Sequence, residues 1–470
     1  ALPSAELDGA LLDRALESAG CRVVIAEVTL ADRLGSRRRC IRYGDEAWRQ
    51  MVAESASLPR TPLRCESNAD FAYVFSSGTT GVSKACRVSH WRSRLSATAF
   101  SRLVHGLRAD DVLYCPLPLY HASPLLLGFG ACLVAGATLA LRSRFSASAV
   151  LADVRRFDAT VMLYVGELGR AWLAQPPSPH DRAHRLRALV GNGMNARVWA
   201  ALRERFAIPH VREFYAASEF PGAVVNITDQ VGSVGHLPFG RLRGYRLVRV
   251  DANDGSIVRD ASGRAIECAA DEPGELVLRL RPSRERPTGE YLGYVGEGPN
   301  AERIARDLFE PGDLYCRSGD LLRRDRAGHF YFVDRLGDTF RFKSENVSTR
   351  EVEDAFSALP GVVSAVSLGV RLPEFDGKLG LLALEVGAEF SLASVAERMV
   401  TLPRAMRPCF VRLVEHIELT PSLKYKKSDI ARDGVDPSVI GDPLFFRDGE
   451  ELRPLDPAAF AGILGGAHRF

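Results

Sequence analysis

A repeated strand–loop–helix grammar constrains this chain more than any other feature. Leu186–Val190 is a short apolar run that ends in Gly191-Asn192-Gly193. It continues into an amphipathic helix, Asn195–Phe206, with Trp199, Leu202 and Phe206 on one face, and then into a further strand, Val211–Tyr215. Phe71–Phe75 likewise runs into the polar stretch Ser76-Ser77-Gly78-Thr79-Thr80-Gly81. A strand that returns through a helix pairs with its predecessor in parallel, which implies α/β layers. Ligands of such folds sit at the carboxyl ends of the strands, where these loops lie.

From about residue 240 the pattern turns to β. Tyr245–Val250, Glu275–Leu280, Leu314–Arg317 and Phe330–Asp334 read as strands between turn clusters. Asp325-Arg326-Ala327-Gly328 is a hairpin turn, and centring it on residue 327 sets 320 opposite 334, so Asp320 and Arg335 become neighbours. That pair reads either as a plain salt bridge or as a clamp on a diol. Leu336-Gly337-Asp338 reads as a hinge. Beyond it, Ser348-Thr349-Arg350-Glu351 is a capping box opening a helix, Pro360-Gly361 stops that helix, and a Val-rich strand follows to Val370. The expected domains are therefore 1–336, large and containing the β-rich part, and 337–470, small.

The 61 Lys+Arg nearly balance the 58 Asp+Glu, which gives no reason to expect nucleic acid as a partner. Nine cysteines without a C-x-x-C pair argue against a disulfide framework or zinc site and for a reducing, cytoplasmic setting. The first residues show no signal-peptide pattern. Glycines 128, 130 and 136 split the long apolar run Pro124–Leu141, which reads as a buried helix, a turn at Gly136 and a strand, Ala137–Leu141, rather than a transmembrane segment.

Only six of the basic residues are lysines: Lys84, Lys343, Lys378, Lys424, Lys426 and Lys427. In a chain that otherwise writes arginine, a surviving lysine marks a place that needs a compact ammonium. Lys84 closes Ser76-Ser77-Gly78-Thr79-Thr80-Gly81-Val82-Ser83-Lys84. There glycines can turn backbone N–H groups towards an anion, and hydroxyls and an ammonium add to them. The spacing is not that of a P-loop NTPase.

YVFSSGTTGVSKACRVSH resembles the phosphate-binding signature of the adenylate-forming superfamily of acyl-CoA synthetases, adenylation domains and luciferases. PLPLYH (116–121), EFYAASE (213–219), YCRSGD (315–320), DRLGDTFRFKSENVSTREVE (334–353) and LKYKKSD (423–429) follow in the same order. The long fourth block and the tail DPLFFRD resemble the fatty-acid-transport-protein, or very-long-chain acyl-CoA synthetase, branch. VGNGM, QPPSP and VGSVG agree.

The resemblance implies a large α/β domain with parallel sheets and a β-rich subdomain, then a small mobile α+β domain, with a front shorter than usual. It implies that Ser77, Gly78, Thr79, Thr80, Gly81 and Lys84 hold ATP phosphates. Tyr215 would stack near adenine, with Gly191, Asn192 and Gly193 lining the pocket. Ser218 would touch phosphate, Glu219 would hold Mg²⁺, and Asp320 would grip the ribose beside Arg335. Lys424 would be the mobile catalytic lysine, Lys343, Ser344, Glu345 and Asn346 the CoA loop, and Gly337 the pivot. His121 reads either as a gate of the acyl channel or as a packing histidine. Gly128, with Ala131 and Ala135, would leave a wide acyl pocket, or would let two helices pack closely.

Three departures stand out: the short front, Ala216 where the superfamily has glycine, and Ser344 where the branch has glycine. A short front would expose apolar surface that a homodimer partner should cover. The leading expectation is an acyl-CoA ligase that uses ATP, Mg²⁺ and CoA on a long-chain or bulky hydrophobic carboxylic acid. The alternatives are a half-reaction specialist that passes a preformed adenylate to CoA, and a non-catalytic binding protein.

Overall fold

Ala1–His236 with Arg279–Ile304 pack as one unit, and Leu237–Leu278 with Ala305–Phe470 as a second. The computed structural model describes the chain outside residues 5, 6, 8, 35–37, 60–63, 77–83, 238, 239, 241–243, 252, 253, 282–290, 297, 343, 344, 374, 376, 377, 421–424 and 469.

In the first unit, β1 (Val23–Glu27) and β2 (Arg39–Tyr43) pair in parallel, and β3 (Asp70–Ser76) pairs antiparallel with β4 (Lys84–Ser89). The main sheet comprises β5 (Val112–Cys115), β6 (Thr138–Leu141), β7 (Val161–Val165), β8 (Ala188–Asn192), β9 (His210–Ala216) and β10 (Ala223–Val225), in the order β10-β9-β8-β7-β5-β6. Strands β5 to β9 are parallel, as the strand–helix–strand spacing requires, and β10 closes the edge antiparallel to β9. Leu113, Val161, Met162, Val190 and Val211 are wholly buried, which is what a sheet covered on both faces demands. The helix Ala196–Phe206 is capped by the Asn195 side chain and buries Trp199, Leu202 and Phe206, with Trp172 stacked on Phe206.

Two local readings need adjusting. Phe71–Phe75 does not feed a helix, because β4 folds straight back on β3 and sets Lys84 beside Ser76. Only Ser89, at the end of β4, caps a helix, His90–Ala99. The apolar run resolves into helical turns over Ser123–Ala135, a left-handed Gly136 and the strand β6. No described helix is long and apolar enough to cross a membrane.

The second unit holds the β-rich segment, with strands Tyr245–Val248, Gly274–Arg279, Leu314–Arg324 and His329–Arg335 in one sheet. It also holds a five-stranded sheet, Val362–Val370, Leu379–Val386, Phe410–Val414, Leu444–Asp448 and Glu451–Pro454, around a core of Val352, Phe356, Leu381, Leu384 and Phe410. The sequence motifs divide the chain at 336, whereas packing joins the β-rich segment to residues 337–470. Hydrogen bonds across the proposed hinge supply the reason: Ser348 Oγ donates to the Val333 carbonyl at 3.0 Å, and Thr349 N donates to Asp334 Oδ2 at 2.6 Å. The capping box forms as read, with Ser348 Oγ accepting from Glu351 N.

Candidate active site

The carboxyl ends of β8 and β9 are neighbours, so Asn192-Gly193 and the Tyr215–Glu219 turn lie side by side. Gly191 and Gly193 are needed there. A Cβ on Gly191 would overlap the Tyr164 carbonyl oxygen, and Gly193 has a left-handed φ of +81°. The loop is pinned by Glu213, a carboxylate only 2% exposed in an otherwise apolar strand. It accepts from Tyr164 Oη at 2.6 Å, Gly193 N at 3.0 Å and Met194 N at 2.9 Å. Burial, with Glu213 alongside, pushes the Tyr164 hydroxyl pKa well up. Arg92 holds the second loop: its guanidinium donates to the carbonyls of Ala217 (2.9 Å), Ser218 (2.6 Å) and Phe220 (2.7 Å). Tyr215, Ser218 and Glu219 are thus presented by a turn whose backbone is tied to a helix 125 residues earlier.

Glu219 sits among cations. Its Oε1 lies 3.3 Å from Arg303 Nη2, and the Tyr294 hydroxyl faces the same carboxylate. Burial first, and then Glu219, raise the Tyr294 pKa. Lys84 Nζ stands 5.6 Å from the centre of the Tyr294 ring. Sequence reasoning named Lys84 and Glu219 but missed Arg303, Tyr294, Arg92 and Glu213. Of these, only Glu213 carried a signal, as a charge inside an apolar strand.

In the second unit, the hairpin sets Asp320 directly opposite Arg335. The turn keeps the register centred on 327 as far as Leu322 and Phe332; a bulge then inserts Val333 and shifts the pairing by one. Leu336 N donates to Gly319 O, so Asp320 and Arg335 form the adjacent non-hydrogen-bonded pair, in which side chains stand closest. Fully buried Glu275 fixes the turn before them, accepting from Gly319 N and Arg317 Nε, both at 2.8 Å. Beyond the hairpin, Asp334 accepts from Thr349 N and Oγ1, while Lys427 Nζ reaches Thr349 Oγ1 at 3.0 Å and Glu353 at 2.7 Å. Burial pushes the Asp334 and Glu353 carboxyls up, and Lys427 pulls them back. An ideal Cβ on Gly337 would meet nothing within 4 Å.

Ser77, Gly78, Thr79, Thr80, Gly81, Lys343, Ser344 and Lys424 lie outside the described residues. Glu345 and Asn346 belong to a short strand, Glu345–Val347, paired with Phe340–Phe342. His121 follows the carboxyl end of β5, with its ring 4.6 Å from that of Tyr120. Gly128 meets a filled space, since a Cβ there would lie 2.8 Å from Leu163 Cδ1. Close packing, not an open pocket, accounts for that glycine. All nine cysteines are free. Among the described residues no three His, Cys, Asp or Glu side chains cluster as a metal site. The single carboxylate of Glu219 fits an ion that arrives with a nucleotide, whose phosphates supply the remaining oxygens.

Comparison with known proteins bears on this arrangement. The family described as AMP-binding enzyme matches residues 4–281, which take in both loops and Glu219. This chain belongs to the AMP-binding enzyme family. It is 38% identical to human "Long-chain fatty acid transport protein 1" over 425 residues, 88% of this chain and 65% of the relative, so it spans about two thirds of that relative's length. A benzoate CoA ligase from Burkholderia xenovorans LB400 superposes with a TM-score of 0.73 at 18% identity, covering 91% of this chain and 83% of the other. The anthranilate CoA ligase AuaEII in complex with anthranoyl-AMP gives 0.72 at 19%, covering 91% and 81%. At such identities the likeness speaks for the fold, which is that of the adenylate-forming enzymes.

Proposed function

We propose that this chain is an AMP-forming acyl-CoA ligase for long-chain or bulky hydrophobic carboxylic acids. The observation that carries the reading is the adjacency of the Gly191–Gly193 loop and the Tyr215–Glu219 turn at neighbouring strand ends, each tied down by a buried charge. The chain length of the acid rests on the printed name of the transport-protein relatives.

A carboxylate acylates poorly, because its leaving group would be hydroxide or oxide. In the first step a carboxylate oxygen attacks the α-phosphorus of ATP, the bond to the bridging oxygen breaks, and pyrophosphate leaves with the electron pair. Two anions must meet, so cations are needed where charge develops; Lys84, Lys424 and Arg335 are placed to supply them. Mg²⁺ held by the phosphates and Glu219 would screen further charge. Tyr215 and the Gly191–Gly193 loop hold the base, and Asp320 accepts from the ribose hydroxyls. In the second step the CoA sulfur, its proton lost to solvent, attacks the acyl carbon, and AMP leaves. A swing at Gly337 would exchange Lys424 for the 343–346 loop between the steps.

A second reading, transfer of preformed adenylates to CoA only, is favoured by Ala216, whose methyl stands on the turn where the superfamily has glycine. The test separates the half-reactions. Pyrophosphate release is followed with ATP and a panel of acids, and AMP and thioester are followed from synthetic acyl-adenylate with CoA. A complete ligase works in both, and Lys424→Ala should lower only the first, by about 10²–10³. Activity from the adenylate alone establishes the second reading. Equal loss of both steps in Lys424→Ala would remove the role given to that lysine.

A further inference from the structure

Arg303 belongs to none of the motifs that the chain shares with adenylate-forming enzymes, yet it touches the residue assigned to the nucleotide's metal. Its segment is built to hold it there. Val295 N donates to Ala85 O at 2.9 Å and Arg87 N to Gly293 O at 3.0 Å, so the backbone around Tyr294 lies along β4, next to Lys84. Asn300 folds the rest of the segment back. Its amide donates to the carbonyls of Tyr294 (3.0 Å) and Gly296 (2.6 Å) and accepts from Tyr294 N (2.8 Å) and Tyr291 Oη (3.1 Å). Three residues on, the Arg303 guanidinium meets Glu219, with the two side chains 28% and 13% exposed.

A carboxylate oxygen engaged by a guanidinium is masked from a divalent cation, because two positive centres on one oxygen repel each other. The planar fork of arginine, in turn, suits a phosphate as well as it suits a carboxylate. We propose that Arg303 is a further nucleotide-site residue: it holds the Glu219 carboxylate in the nucleotide-free enzyme and turns to the nucleotide's polyphosphate when Glu219 takes the metal. Tyr294, facing the same carboxylate, keeps Glu219 oriented during the exchange. The inference rests on the proposed function and adds to it a cation that is exchanged, not merely present.

Calorimetric binding of ATP and of AMP to the full chain, each across a Mg²⁺ series and with excess EDTA, tests this on the wild type, Arg303→Gln and Arg303→Lys. Arg303→Gln should bind ATP with Mg²⁺ about 10- to 100-fold more weakly, the worth of a charge-assisted contact to phosphate. AMP, lacking the β- and γ-phosphates, should change by less than about threefold. The Mg²⁺ concentration at half-effect should fall, since Glu219 is no longer masked. Arg303→Lys keeps the charge without the fork and should recover most of the ATP affinity. Affinities of Arg303→Gln within twofold of wild type, or equal losses for ATP and AMP, would overturn the proposal in favour of a plain structural pair. Should Arg303→Gln fail to fold, Arg303→Lys decides: ATP affinity and Mg²⁺ midpoint both unchanged would count against exchange. A wild type that binds no ATP refutes the ligase reading itself, and that outcome is distinct from any of these.

Discussion

Replacing Glu213 with glutamine removes a charge while keeping the shape of the side chain, so its effect isolates the hydrogen bonds that shape the Gly191–Met194 loop. Glu213 Oε1 accepts two bonds, from Tyr164 Oη and Met194 N, and Oε2 accepts one from Gly193 N. Glutamine has one acceptor oxygen. Placed at the Oε1 position it keeps the first two bonds in weaker, uncharged form, and its NH₂ group then points at the Gly193 N–H, donor against donor. One lost bond, one buried unsatisfied donor and two weakened bonds together cost about 2–4 kcal/mol. Read locally by amide exchange, that is a fall in protection at Gly193 and Met194 between about 30-fold and several hundred-fold. AMP affinity should drop by about tenfold, because the loop that lines the base is no longer held. Protection at both amides within twofold of wild type, with AMP affinity unchanged, would refute the claim that Glu213 organises the loop.

Two further expectations follow from single residues. His105 is fully buried, its Nε2 bonded to the Leu127 carbonyl and its Nδ1 without a partner among the described residues; burial, offset in part by that bond, lowers its pKa to about 4. The folded state therefore binds the proton less well than the unfolded one. This contribution is intact above pH 6.5 and is lost as pH falls from there towards 4. Denaturant unfolding should show about 2 kcal/mol less stability at pH 5 than at pH 7.5, and His105→Gln should flatten that slope; an unaltered slope would show that other groups carry it. Gly337→Ala should leave folding and both half-reactions nearly intact, since its Cβ meets open space, whereas Gly337→Pro should slow at least one of them about tenfold or more. Equal rates in Gly337→Pro and wild type would dismiss the hinge.

Much of the architecture was legible because its causes are local. Apolar runs ending at glycines, with helices of 3.6-residue period between them, require a parallel sheet, and β5 to β9 form one. Ser348 with Glu351 announces a helix start, and the helix begins there. The hairpin turn carried the Asp320–Arg335 neighbourhood to within one residue. The bulge at Val333 escaped, since nothing in the residue types marks an extra residue in a strand.

What the sequence determined on its own is the layer type, the element boundaries to within a few residues, and the order of the nucleotide motifs. All of these follow from periodicity and turn chemistry over short stretches. Tertiary structure alone decided which buried charge meets which partner: Arg92 with carbonyls 125, 126 and 128 residues away, Glu219 with Arg303, and Glu275 with the Ser318–Asp320 turn. It also decided that Gly128 makes room for Leu163. A buried polar group must find a partner, but any segment that the fold brings within 3 Å can supply one, so that choice is made by the packing of distant elements and leaves no local trace.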